Sequence, residues 1–257
     1  MAWVYGIDSS YDELTLDEAH VLKAAGVAVF AQALWTGAEQ PPSRVISLRN
    51  AQTAGLVTIG YISVANNGRD GTQHVDQGRA GVPDDVWAKL VRVPFDVELP
   101  GIRFGLHILL ALDRVAALGK PRDIYTSYHA WVDYMNNTAR PTGVGLWNAI
   151  WDLNPDFDFP TLRYGGWQDN EVWGEQWSGG TQVHGQFADR NQFRADAVGI
   201  VIAPSTPAPT PSPASPPTPT DEQWLRAADI AATLTRSFAR RSPPSSTLKQ
   251  QVRFLVS

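Results

Sequence analysis

Short β-rich runs alternate with helix-like segments over the first 126 residues, and this alternation restricts the fold more than any other property of the chain. The β-rich runs cover residues 3–8, 27–33, 57–63, 90–97 and 122–126. Between them lie helix-like segments at 15–25, 43–54, 74–89 and 102–118. Gly26, Gly55 and Gly119 follow three of these, which suits helix C-termini. Strand and helix alternating at this interval predict βα units on a parallel sheet. After residue 143 the helices stop, and "VGLWNAIW", "EVWGEQWS" and "QVHGQFAD" read as three strands joined by loops. Five βα units followed by three strands are enough to close an eight-stranded barrel.

Residues 203–220 consist only of Ala, Pro, Ser and Thr and hold eight of the nineteen prolines. Such a stretch cannot pack a core and favours extended polyproline II, so it reads as a stiff linker. It separates a body, residues 1–202, from a tail, residues 221–257. Thr220 and Gln223 form a capping-box signature at the start of the tail, with Asp221 and Glu222 in the first turn. Trp224, Ala228, Ala231, Leu234 and Phe238 then follow helical spacing and make one apolar stripe. A lone helix of this length is marginal in water, so the tail is expected to dock on a partner or on another copy of itself.

Composition narrows the function. The chain is 43% hydrophobic with ten Trp, which allows a well-filled core. It has no Cys, hence no disulfide framework and no thiolate metal site. His20, His74, His107, His129 and His184 are scattered, with no H-x-x-x-H pair, so no metal and no cofactor are expected. A net charge of −5 speaks against a general nucleic-acid binder. The N-terminal "MAWVYGIDSS" reads as lacking a signal peptide. No stretch reaches the roughly 18 apolar residues of a membrane span. Ser9 and Ser10 lack the G-x-S-x-G elbow of a serine hydrolase.

Four acids each end a hydrophobic run: Asp8 in "WVYGIDSS", Asp96 and Glu98 in "VRVPFDVELPG", and Asp189 in "VHGQFADRNQF". Carboxylates are poor strand residues and poor neighbours for apolar runs. Asp96 and Glu98 are two apart, so on a strand they share a face with Cα atoms roughly 6.6 Å apart. Two such carboxyls in a partly apolar site repel each other, and one tends to keep its proton near neutral pH. One acid beside one carboxylate is the pair that glycosidic-bond cleavage requires. Structural roles compete: Glu98 as a cap of the next helix, Asp96 as a buried hydrogen-bonded Asp, Asp8 and Asp189 as turn residues.

The words around these acids are "GIDSS", "FDVE", "IYTSYHAWV", "GLWNAIW" and "WGEQWSGGTQVHGQFADRNQF". In order and spacing, over roughly residues 3–195, they resemble the family 25 glycoside hydrolases, the muramidases of bacteria and phages. The D-x-E followed some ninety residues later by G-x-x-x-D-x-N carries most of the resemblance. It implies an α/β fold, a TIM-like barrel variant with its site at the C-terminal ends of the strands, where all four acids are expected. It implies Glu98 as general acid. Asp96 would stabilise positive charge at the anomeric centre or orient the 2-acetamido group. Asp8 and Asp189 would lie together on the first and last strands and set the charge state of the others. Tyr61, Tyr125, Trp147 and Trp177 fall where rings would cover sugar faces. Core packing is the rival role for these rings, and the favoured one for Trp131 and Trp151. Asn191 matches the D-x-N, with a loop role as the alternative.

Three departures touch the rim. The opening Asp8-Ser9-Ser10-Tyr11-Asp12-Glu13 lacks the family's Gln. Gln32 stands near the place of a basic residue on the second strand. Tyr61-Ile62-Ser63 replaces the usual Tyr-His-aromatic. The implied activity is cleavage of the β-1,4 bond between N-acetylmuramic acid and N-acetylglucosamine in bacterial peptidoglycan. A phage lysin, in the host cytoplasm before release, or a lysozyme of a phage tail would suit it, with residues 221–257 attaching to a phage structural protein. The rival is a glycan-binding or structural tail protein on the same barrel. The complete acid set favours the enzyme.

Overall fold

The computed structural model describes residues 2–99, 105–157, 159 and 162–202. The chain divides into one unit of Met1–Ala203 and a second of Pro204–Ser257. The linker, the tail cap and the apolar stripe lie outside the described residues.

The elements run β1 (Trp3–Ser9), α1 (Leu16–Ala24), β2 (Val29–Trp35), α2 (Arg44–Thr53), β3 (Val57–Ser63), α3 (Gly71–Arg79), α4 (Asp84–Lys89), β4 (Leu90–Arg92), β5 (Phe95–Asp96), α5 (Leu106–Ala117), β6 (Asp123–Ser127), β7 (Gly145–Ala149), β8 (Val172–Val183) and β9 (Gln186–Arg194). Around the sheet the order is β1-β2-β3-β5-β6-β7-β8-β9, and β9 returns to pair with β1, which closes the barrel. β4 also pairs with β3 and makes the lower part of the stave that β5 continues. Every neighbouring pair is parallel except those of β9, which runs antiparallel to both β8 and β1. A five-residue π-helix, Ala130–Tyr134, stands in place of a full helix after β6.

Local chemistry explains most boundaries. Thr15 and Glu18 form a reciprocal capping box that starts α1, and Asp70 and Gln73 do the same for α3. Three expectations change. The helix read as 74–89 begins earlier, at that Asp70 cap, and is two helices. Gly81 takes φ +74° and Pro83 forces Val82 out of helical geometry, so α3 stops and α4 restarts. The strand read as 90–97 is interrupted at Val93-Pro94, because Pro94 has no N–H for the ladder. The strand read from "QVHGQFAD" is a hairpin. Gln182 and Val183 end β8, and His184 (φ +49°) and Gly185 (φ +97°) make a two-residue turn of the kind that suits strand twist. β9 then starts at Gln186, so Asp189 lies early in an antiparallel strand rather than at its C-terminal end.

The barrel interior is filled by Val29, Ala31, Ala33, Ile59, Tyr61, Tyr125, Trp147, Trp173 and Phe193. Burying a side chain of Trp147's size stabilises the fold by about 3 kcal/mol. A second core lies around α2 to α5, and a third under α1. Below the interior rings, Arg92 Nη1 donates to both carboxylate oxygens of buried Asp123, and the guanidinium lies 4.6 Å from the Trp173 ring centroid, forming the floor.

Candidate active site

The barrel mouth holds a cleft of about 290 Å³. Strand register places the acids there. Asp8 of β1 is directly opposite Asp189 of β9. Because β9 is antiparallel, an early residue of that strand reaches the same mouth as the C-terminal ends of the parallel strands. Across the barrel, Ser63, Asp96 and Tyr125 lie level on β3, β5 and β6. Glu98 follows Val97, whose N–H donates to Tyr125 O and whose carbonyl accepts from Thr126 Oγ1, so the chain stays extended past the end of β5. All four carboxyls line the cleft.

Hydrogen bonds separate the acids into two groups. The Ser63 hydroxyl donates to Asp96 Oδ2 at 2.7 Å. On the far side, Gln176 Nε2 donates to Asp8 Oδ2 at 2.8 Å and to Asp189 Oδ2 at 3.3 Å. Asn191 Nδ2 donates to Asp8 Oδ2 at 2.7 Å, and Gly180 N–H donates to Asp189 Oδ1.

Burial pushes the Glu98 carboxyl up to about 8, and the neighbouring Asp96 charge adds to the rise. Burial raises Asp96 only to about 6, because the Ser63 hydroxyl favours its charged form. Asp8 is pushed up to about 8 by burial and then by the charge of Asp189. Asp189 is raised by burial, against the pull of the Gly180 N–H. Between about pH 6 and 8 the Asp96–Glu98 pair therefore holds one carboxylate and one protonated acid, the division of labour that glycoside cleavage uses.

The rings separate as well. Tyr61, Tyr125 and Trp147 line the cleft. The Tyr61 hydroxyl is 2.8 Å from Ser10 Oγ, and the Tyr125 hydroxyl donates to Gln176 Oε1 at 2.8 Å. Trp147 is 1% exposed and is chiefly a core ring, edge-on to both tyrosines. Trp177 lies outside the cleft lining. It follows the inward-facing Gln176 on β8, so it points to the opposite face of the strand, where the Arg190 guanidinium covers it. Trp131 is buried, as expected, whereas Trp151 is 58% exposed at the cleft rim. Asn191 sits on β9 and not in a loop.

The sequence reading passed over Gln176 and Thr36 and named Ser10, Tyr11 and Ser63 as departures at the rim rather than as site residues; all five line the cleft. Gln176 could have been found from its parity with Gly174 and Trp147 on paired strands. Ser63 required the register of β3 against β5. Among the described residues, no cluster of His, Cys, Asp and Glu has the geometry of a metal site.

The fold and mouth define an α/β barrel with the Asp96 and Glu98 carboxyls in its cleft. Comparison of the sequence with protein-family models and with curated proteins gives no match. Solved structures do match. A bacterial lysozyme from Streptomyces coelicolor superposes with TM-score 0.62 at 19% identity, over 78% of this chain and 97% of that one. A family 25 lysozyme from Aspergillus fumigatus gives 0.60 at 16% identity, over 75% and 94%. An endolysin catalytic domain from a Listeria monocytogenes bacteriophage gives 0.59 at 14% identity, over 77% and 96%. The chain has the barrel fold of the family 25 glycoside hydrolases.

Proposed function

We propose that this protein is a peptidoglycan hydrolase that cleaves the β-1,4 bond between N-acetylmuramic acid and N-acetylglucosamine. The observation that carries the reading is the Asp96–Glu98 pair, on one face at the barrel mouth and divided by environment into carboxylate and acid. Glu98 gives its proton to the leaving glycosidic oxygen. Asp96, ionised and held by Ser63, faces the positive charge that develops at the anomeric carbon, or orients the 2-acetamido group against it. Asp8 and Asp189 tune the site from the opposite wall. Tyr61 and Tyr125 supply ring edges and hydroxyls for the sugar. The fold shared with lysozymes of bacterial, fungal and phage origin supports the substrate class.

The endolysin likeness supports a phage setting, as a lysin in the host cytoplasm before release or as a lysozyme of the virion tail. In the latter, residues 221–257 attach the enzyme to a structural protein or to a second copy. The deciding experiment adds purified protein to suspended bacterial walls and follows turbidity, with Glu98→Gln as control. Clearing by the native protein alone is expected. A suspension that stays turbid with both, while sugar fragments still bind, would make the barrel a glycan-binding protein.

A further inference from the structure

Gln176 is 1% exposed, yet its amide uses every hydrogen-bonding position it has. Its Oε1 accepts from the Tyr125 hydroxyl at 2.8 Å and from the Trp151 indole N–H at 2.6 Å. Its Nε2 donates to Asp8 at 2.8 Å and to Asp189 at 3.3 Å. An indole nitrogen can only donate, so the amide oxygen must face Trp151 and both N–H bonds must face the carboxyls. Asn191 is pinned in the same way. The Trp147 indole donates to its Oδ1 at 3.0 Å, and its amide nitrogen donates to the same Asp8 oxygen at 2.7 Å. Neither buried amide can turn over without stranding its partners.

We infer that Gln176 is a positioning residue that ties the rim ring Trp151 and the cleft hydroxyl of Tyr125 to the Asp8–Asp189 pair. The inference rests on the muramidase reading above. Gln176 bears on Glu98 along two routes. Its N–H bonds favour the charged forms of Asp8 and Asp189, and the Asp189 charge helps Glu98 keep its proton. Its oxygen also accepts from the Tyr125 hydroxyl, a donor that favours the charged form of Glu98, so the amide competes with Glu98 for it. Both routes keep the general acid protonated. At the rim, the Trp151 ring lies over Gly179, where an added Cβ would stand 3.3 Å from it. Indole bond and glycine floor together hold an exposed ring in one orientation, ready for a sugar face.

The test compares full-length variants on solubilised peptidoglycan over a range of pH. Gln176→Met removes donors and acceptor at similar volume. It should lower kcat roughly tenfold and move the alkaline limb of the profile to lower pH by about half a unit. Gln176→Glu is isosteric but adds negative charge, and should move the same limb to higher pH. Trp151→Phe keeps a ring without the N–H and should follow Gln176→Met in direction. Carboxyl ¹³C titration of Asp8 and Asp189 reads the coupling without turnover, and their protonation midpoints should rise in Gln176→Met. A structural role alone would not move the two Gln176 variants in opposite directions. Unmoved limbs, or carboxyl midpoints equal to those of the native protein, overturn the inference. If Gln176→Met does not fold, Gln176→Glu and Trp151→Phe decide by the same limb shifts and carboxyl midpoints. Native protein that leaves walls intact while the carboxyls still respond overturns the muramidase reading and upholds the coupling.

Discussion

Glu98 and Asp96 differ in what surrounds them more than in what they are. Both are carboxyls at one strand end, but Ser63 donates to Asp96 while the Asp96 charge and burial hold the proton on Glu98. Glu98→Gln should lower wall-cleaving turnover by roughly a hundredfold or more with an unchanged melting temperature, since only the proton donor is lost. A purified variant with near-native turnover would remove Glu98 from the mechanism. Activity of the native protein should be bell-shaped in pH. It should rise as Asp96 ionises near about 6 and fall as Glu98 loses its proton near about 8, which kcat/KM against pH reads directly.

Asp8 yields a stability prediction with a definite sign. Its folded value of about 8 lies above the unfolded value near ~3.9. Its contribution is therefore fully present below about pH 4 and is lost as pH rises through about 8. Asp8→Asn stays neutral and can still accept the two amide donors through its oxygen. Its stability advantage should be near zero at about pH 4 and grow to on the order of 5 kcal/mol by about pH 8. Urea melts at both pH values test this. A constant difference would mean that Asp8 carries no buried-charge cost.

Among the elements, α3 depends on one close approach. A Cβ on Gly71 would stand 1.9 Å from the His107 carbonyl oxygen of α5 and 2.7 Å from the Ala111 nitrogen. These are backbone atoms and cannot swing aside as a flexible side chain would. Gly71→Ala should force the two helices apart and cost about 2–4 kcal/mol, measured by chemical denaturation. A variant as stable as the native protein would show that α3 can shift at little cost. The β8–β9 hairpin is the other decisive element. Its His184-Gly185 turn reverses the last strand and brings Asp189 to the mouth beside Asp8.

For the whole molecule, closure precedes the linker. β9 ends at Arg194, and the turn that follows seals the floor, where Arg92 Nε donates to Ala197 O. A chain ending at residue 202 should melt cooperatively and cleave soluble wall fragments at near-native rate. A chain ending at residue 194 should lose that floor bond and melt lower. Calorimetry and turnover on the two truncations check both. Failure of the 202-residue chain to fold would make the tail part of the barrel unit. Native mass in solution and pull-down of the full chain would show whether residues 221–257 bind a phage protein or another copy.

The eight staves, the parallel βα order and the four acids were legible in the sequence, because alternation of period and isolated carboxylates in apolar runs are local patterns. The linker reading rests on composition, which denies residues 203–220 a core, and those residues lie outside the described ones. The hairpin reversal before Asp189 was not, since "QVHGQFAD" alternates like one strand and only the positive φ of His184 and Gly185 breaks it. Nor were the fates of Trp151 and Trp177 legible. A tryptophan reads the same in sequence whether it borders a cleft or lies against an arginine on the outer face; strand parity beside a bulge decides this for Trp177, and Trp151 lies beyond the end of β7. The proton distribution likewise belongs to the tertiary structure. It depends on which donors reach each buried carboxyl across strands up to 183 residues apart, and no local pattern encodes that distance.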